Sequence, residues 1–167
     1  LEDCVIEPGS GAAVRVGAGS HRLVDVSIHG GSSGLVLDAA GSLEIDRTQV
    51  TGVSGVALDL SGTAVLMRTL IVDNPSPATG VEVASSGDLR MLYTTVAGNG
   101  TGLDSLSAGV RVEHSIICGN TTDIAGVPCS SIGFSTICGT DCSGLGSLDC
   151  TGAEGNISDD PLFADPG

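Results

Sequence analysis

Residues 43–63 read Leu43-Glu44-Ile45-Asp46-Arg47-Thr48-Gln49-Val50-Thr51-Gly52-Val53-Ser54-Gly55-Val56-Ala57-Leu58-Asp59-Leu60-Ser61-Gly62-Thr63. The stretch holds two short strand patterns. Leu43, Ile45, Thr48 and Val50 fall on one side, and Gly52 ends the run. Val56, Leu58 and Leu60 then alternate with Ala57 and Asp59 until Ser61-Gly62 turns the chain. Alternation at period two marks strands with one face toward a core, and glycine clusters mark turns.

The unit recurs. Anchored on Thr48, its counterparts are Thr69, Thr94, Ser115 and Ser135 downstream, and Val26 and Cys4 upstream. Two residues after each anchor stands a branched apolar residue: Ile6, Ile28, Val50, Ile71, Val96, Ile117, Ile137. Leu23, Ile45, Leu66, Met91, Val112 and Ile132 stand three residues before an anchor. The second strand repeats as Val14/Val16, Leu35/Leu37, Val56/Leu58 and Val81/Val83, weakening to Leu103. Gly34, Gly55, Gly80 and Gly102 precede it. A period of roughly 20 to 25 residues is the mark of a solenoid. The reading is therefore an all-β, parallel β-helix of about seven coils, right-handed as parallel crossovers are.

Composition agrees. The only aromatics are Tyr93, Phe134 and Phe163, so Val, Ile, Leu, Thr and Ser must fill the interior, which suits a narrow stacked core. Six basic residues against 20 acidic ones give a formal charge of −14. That excludes nucleic acid and anionic membrane surfaces as partners, since both are bound through Lys and Arg. No apolar run of about 18 residues is present, so no membrane-spanning helix is expected. The chain begins within a repeat, without a signal segment, and is read as a piece of a longer protein.

Residues 1–139 form the coils, and residues 140–167 a Cys-, Gly- and Asp-rich tail packed on them. The insertion Asn74 to Thr79 carries two prolines and is expected to bulge as a surface loop. Residues 110–139 keep the first strand and are expected to lose the second. Leu162 and Phe163 of the tail are expected to dock on an apolar surface.

The repeats resemble right-handed parallel β-helix proteins of the pectate-lyase-like group. Gly155-Asn156-Ile157 followed by Asp160-Pro161-Leu162-Phe163 and Asp165-Pro166 looks like the stretch that ends the β-helix in many bacterial cell-surface proteins. The first resemblance covers about 140 residues and is shared by enzymes and non-enzymes. In those surface proteins a Ser-Pro-rich closing motif usually follows, and here the chain stops before it.

Equivalent positions on successive coils lie about 4.8 Å apart. The inward anchors then form a ladder of small residues whose hydroxyls need partners. Cys118 and Cys138 hold one position on neighbouring coils, each after an inward isoleucine, and are expected to form an outward-facing disulfide. Cys129 and Cys150 are one coil length apart and are the second expected pair, with Cys142 able to replace either member. Cys4 is expected to be a buried free thiol unless an upstream segment supplies a partner. Six cysteines in a chain of this size point to an oxidising, extracellular or cell-surface location. The rival, zinc on Cys138 and Cys142, lacks a matching pair and a nearby histidine.

Asp25, Arg47, Arg68, Tyr93, His114 and Phe134 form an outward row. Val65, Met67, Leu70, Leu92, Tyr93 and Ile116 would make an exposed apolar patch, a candidate binding surface unless the tail covers it. Asp38 would stack on Asp59, and Glu82 on Asp104. Such an acidic face is solvated in the ordinary case and would bind calcium weakly at most. No metal ligand set or cofactor is assigned.

Two functions compete. A polysaccharide lyase or glycoside hydrolase needs a close carboxylate pair, or an acidic calcium site with a basic residue. The paired motifs of the hydrolase group are absent as sets, and Asp46, Arg47 and Arg68 are the best remaining cluster. No catalytic residue is therefore assigned. A non-catalytic surface module, serving as a spacer or as an adhesive surface for a glycan or another surface protein, requires only the features present and is the preferred reading.

Overall fold

The computed structural model describes residues 1–138, 142–143 and 155–156. It is an all-β parallel solenoid. The expected Cys129–Cys150 bond, the alternative role of Cys142, the docking of Leu162 and Phe163 and the motif from Ile157 to Pro166 lie outside the described residues.

Each coil contributes to three faces. The first holds Gly41–Asp46, Thr63–Met67, Asp88–Leu92, Val110–Glu113 and Ile132–Gly133. The second holds Gln49–Thr51, Leu70–Val72, Thr95–Ala97, Ile116–Cys118 and Thr136–Ile137. The long strand Gly19–His29 runs through both, pairing with Gly41–Asp46 in its first half and Gln49–Thr51 in its second, while Glu2–Ile6 pairs on its other side. The third face holds Ala12–Val16, Ser33–Leu37, Val56–Leu60, Thr79–Val83, Thr101–Ser105, Thr122–Ala125 and Cys142–Ser143, all parallel. These seven strands meet at six interfaces, so the solenoid makes about six turns rather than seven. Each anchor marks a corner, and seven corners bound six intervals.

The core is the set of inward rows. Ile28, Val50, Ile71, Val96, Ile117 and Ile137 stack on the second face, none more than 3% exposed. On the third face, Leu35, Leu58, Val81, Leu103 and Ile124 form the matching row. This corrects the Val56/Leu58 assignment by two residues. The segment from Thr48 to the third-face strand is one residue longer than that from Val26, and a slip of two leaves a period-two pattern unchanged. Asp38 consequently does not stack on Asp59, which pairs with Val36. Thr122–Ala125 also shows that the third face persists beyond residue 110. Ile124 is the only large apolar residue there and Asp123 is buried beside it, so the alternation is hidden.

A row of small residues, Gly34, Ala57, Gly80 and Gly102, lets third-face carbonyls approach closely. A Cβ on Gly80 would lie 2.7 Å from the Gly102 carbonyl oxygen, and one on Gly102 2.6 Å from that of Asp123. In the insertion, Pro75, Ser76 and Pro77 are exposed as expected, but Asn74 and Ala78 are buried.

Asn74 opens an amide ladder beneath the second face. Its Oδ1 accepts from the Val53 N–H, and its Nδ2 donates to the Val50 carbonyl and to Asn99 Oδ1. Asn99 Nδ2 donates to Asn120 Oδ1 and to the carbonyls of Ile71 and Ala97. Asn120 Nδ2 donates to the Val96 carbonyl and to Asp123 Oδ1. An amide chain needs an acceptor at its open end, and the buried Asp123 carboxylate supplies it.

Candidate binding surface

The corner between the first and second faces is one residue wide. Asp3, Asp25, Arg47, Arg68, Tyr93, His114 and Phe134 occupy it, all left-handed with φ between 48° and 53°. This conformation costs a non-glycine residue on the order of 1 kcal/mol and needs support from its surroundings. From Arg47 to Phe134 the next residue gives it. The hydroxyls of Thr48, Thr69, Thr94, Ser115 and Ser135 each donate to the carbonyl two residues back, across the corner. The anchor row is thus a set of corner clamps, which explains its preference for Ser and Thr. Gly155 and Asn156 continue it: Gly155 has φ 76°, and Asn156 Oδ1 accepts from the Ser135 N–H.

Because the corner is left-handed, its side chains all project from one edge, one per coil. The row changes character halfway. Arg47 clasps Asp25 through Nε–Oδ1 at 2.7 Å and Nη2–Oδ2 at 2.6 Å, and its Nη1 reaches Asp46 Oδ2 at 2.8 Å. Arg68 clasps Asp46 through Nε–Oδ1 at 2.9 Å and Nη2–Oδ2 at 2.7 Å. The hydrogen bonds from Arg47 hold the Asp25 carboxyl below its usual range, and Asp25 in turn raises the Arg47 guanidinium. Asp46 is only 1% exposed, although the sequence places it on an outward row. The residues singled out as an alternative active site do come together, but as an ion-pair cluster with both oxygens of Asp46 committed.

Beyond Arg68 the corner is aromatic. The rings of Tyr93 and His114 stack at 5.3 Å and 11°, and those of His114 and Phe134 at 5.5 Å and 16°. Tyr93 is 63% exposed and Phe134 67%. Below Phe134 the corner residue is Gly155, where a Cβ would lie 2.8 Å from the ring. Of the six predicted patch residues Tyr93 lies in the corner, and the other five flank it as two strips. Met67 pairs with Leu92 on the first face, with Val65 beside Arg90. Leu70 and Ile116 lie on the second face but are separated by Thr95. Leu70 and Tyr93 are exposed, and the other four are half-buried. His114 and Phe134 belong to the surface but were outside the predicted patch; their membership of the Tyr93 row was the available signal.

Next to Phe134 the outward row of the first face ends at Gly133, and a shallow depression of about 130 Å³ opens between Arg111, Glu113, Ser131 and Phe134. Glu113 accepts from Arg90 at 3.2 Å. Among the described residues Arg111 has no acidic partner.

On the third face Asp59, Glu82 and Asp104 stand in register. Burial, then the neighbouring Asp59 and Asp104, push the Glu82 carboxyl upward. Asp38 instead pairs with Arg15 at 2.8 Å. Among the described residues no His, Cys, Asp and Glu side chains group as a metal site, and no helix is long and apolar enough to cross a membrane.

Cys118 and Cys138 form the expected disulfide, with Cα atoms 4.9 Å apart. Cys118 is 3% exposed, so the bond is more enclosed than an outward row implies. Cys4 is free and half-buried at the first coil. No family model, curated protein or solved structure matches this chain.

Proposed function

We propose that the chain is a non-catalytic module of an extracellular or cell-surface protein: a rigid β-helix spacer that presents its aromatic corner as an adhesive surface. The observation that carries this reading is the split of the corner row. Asp25, Arg47 and Arg68 are tied up in ion pairs, whereas Tyr93, His114 and Phe134 stand in solvent as a stacked strip. Exposed apolar strips with polar rims mark recognition surfaces, and aromatic residues are their commonest anchors. The Cys118–Cys138 bond suits an oxidising exterior. The resemblance of the repeats to the pectate-lyase-like group, and of the tail to bacterial surface proteins, extends the reading to that setting. A glycan or another surface protein is the partner that suits it.

The test is turnover. The protein is incubated with pectin, alginate and a neutral glucan, with and without calcium, and assayed for new reducing or unsaturated ends. The module reading expects none. Turnover abolished by Arg68→Ala or Asp46→Asn would place the chain among polysaccharide-active enzymes.

A further inference from the structure

We infer that N-glycosylation and the native fold are mutually exclusive in this chain. Its four asparagines are Asn74, Asn99, Asn120 and Asn156. Three of them begin the acceptor pattern Asn-x-Ser/Thr: Asn99-Gly100-Thr101, Asn120-Thr121-Thr122 and Asn156-Ile157-Ser158. Pro75 excludes Asn74. Such patterns ordinarily mark exposed acceptors on surface loops.

The structure assigns these amides to the interior instead. Asn99 and Asn156 are each 3% exposed, and Asn120 is half-buried. The atom that would carry the sugar, Nδ2, is engaged in all three. In Asn99 it donates to the Ile71 carbonyl, the Ala97 carbonyl and Asn120 Oδ1. In Asn120 it donates to the Val96 carbonyl and Asp123 Oδ1. In Asn156 it donates to the Ile132 carbonyl at 2.8 Å.

Transfer from a lipid-linked diphosphate oligosaccharide joins Nδ2 to the anomeric carbon. The bond from that carbon to the phosphate oxygen breaks, the lipid diphosphate leaves, and one amide proton goes to a base on the transferase. The product amide keeps a single N–H. Asn99 would lose at least one of its donations and would have to place a sugar ring between two coils about 4.8 Å apart. A glycan therefore cannot be added to the folded coil, and a chain glycosylated while unfolded cannot close the ladder. Modification is confined to the unfolded chain, where it blocks folding.

The chain supplies its own unfolded reference. It has no lysine, so trypsin releases peptides 91–111 and 112–167, which contain all three patterns. Intact folded protein and these peptides are offered separately to a purified oligosaccharyltransferase with its lipid-linked donor, and occupancy is read by mass spectrometry. We expect modification of Asn99 and Asn120 in the peptides, and occupancy at least about tenfold lower in the intact protein, because attack requires opening of a core ladder. Comparable occupancy in the intact protein, with its β-sheet circular dichroism retained, would overturn the inference. In a glycosylating secretory host the wild type should emerge glycosylated and non-native. The triple variant Thr101→Val, Thr122→Val, Ser158→Ala keeps every asparagine and should emerge folded. A wild type that is both glycosylated and native there would equally refute it.

Discussion

Asp46 and Arg68 stand on adjacent coils and share a two-pronged ion pair, with the Asp46 side chain almost wholly enclosed and the Arg68 side chain 55% exposed. The asymmetry sets the energetics. A charge left without its partner in a buried place costs far more than one returned to water. Arg68→Met strips two hydrogen bonds from a buried carboxylate and should cost about 1–3 kcal/mol. Asp46→Val fits its row neighbours Val24 and Met67 and returns the arginines to solvent, so it should cost less. Urea unfolding of the two variants gives the ranking, and the reverse order would mean that the pair is not a buried-charge clamp.

The amide ladder should be sensitive to charge as well as to volume. Asn99→Ala removes the acceptor of Asn74 and three donations, and is expected to cost about 2–3 kcal/mol. Asn99→Asp should cost more at neutral pH, because a carboxylate would face the Asn120 oxygen and two carbonyls. Thermal melts at pH 7 compare them. Equal destabilisation would show that the Asn99 amide donors contribute nothing beyond its bulk.

Two carboxylates give pH dependences of opposite sign. Asp25 is held low by Arg47, so its contribution is present above the ordinary carboxylate value and is lost as pH falls through the lowered one. Glu82 is raised, so stability is lost as pH rises through its raised value, and the penalty persists at neutral pH. Glu82→Gln should therefore raise the melting temperature slightly at pH 7 and low salt, and the part of the gain that comes from Asp59 and Asp104 should fade as salt screens them. A loss of stability would mean that Glu82 makes a favourable contact instead.

The Cys118–Cys138 bond closes a separation of 20 residues and should contribute roughly 3 kcal/mol on the chain-entropy estimate. Non-reducing peptide mapping after cleavage before aspartate should link the Cys118 peptide 104–122 to the Cys138 peptide 123–140. Replacing both cysteines by serine should lower the stability of the last coils first, which hydrogen exchange resolves by residue.

Much of this architecture is legible in the sequence because its period is carried by chemistry that tolerates little. From Arg47 to Phe134 each left-handed corner is followed by a hydroxyl clamp and then, two residues on, an inward branched residue, so Thr48-Gln49-Val50 recurs as Ser115-Ile116-Ile117. The third face was less legible. Leu58 and Leu60 cannot be told from Val56 and Leu58 by alternation, and Asp123 interrupts the pattern around Ile124. The site was legible only in part. Tyr93, His114 and Phe134 fall in one row by spacing alone, but their stacking depends on side-chain geometry. Asp46 reads as a surface charge because the arginine that encloses it comes from the next coil. Asn74, Asn99 and Asn120 sit beside Pro or Gly, where asparagine ordinarily signals a turn in solvent. The register of neighbouring coils turns them inward.

The central claim is that the aromatic corner recognises a partner without transforming it. The direct measurement is retention of the wild type and of the double variant Tyr93→Ala, Phe134→Ala on immobilised pectin, alginate and neutral glucan, with both proteins checked for equal melting temperature. The account predicts retention of the wild type on at least one surface, no new reducing or unsaturated ends in the eluate, and loss of retention in the variant. Retention undiminished in the variant, or release of polymer fragments by the wild type, would contradict it.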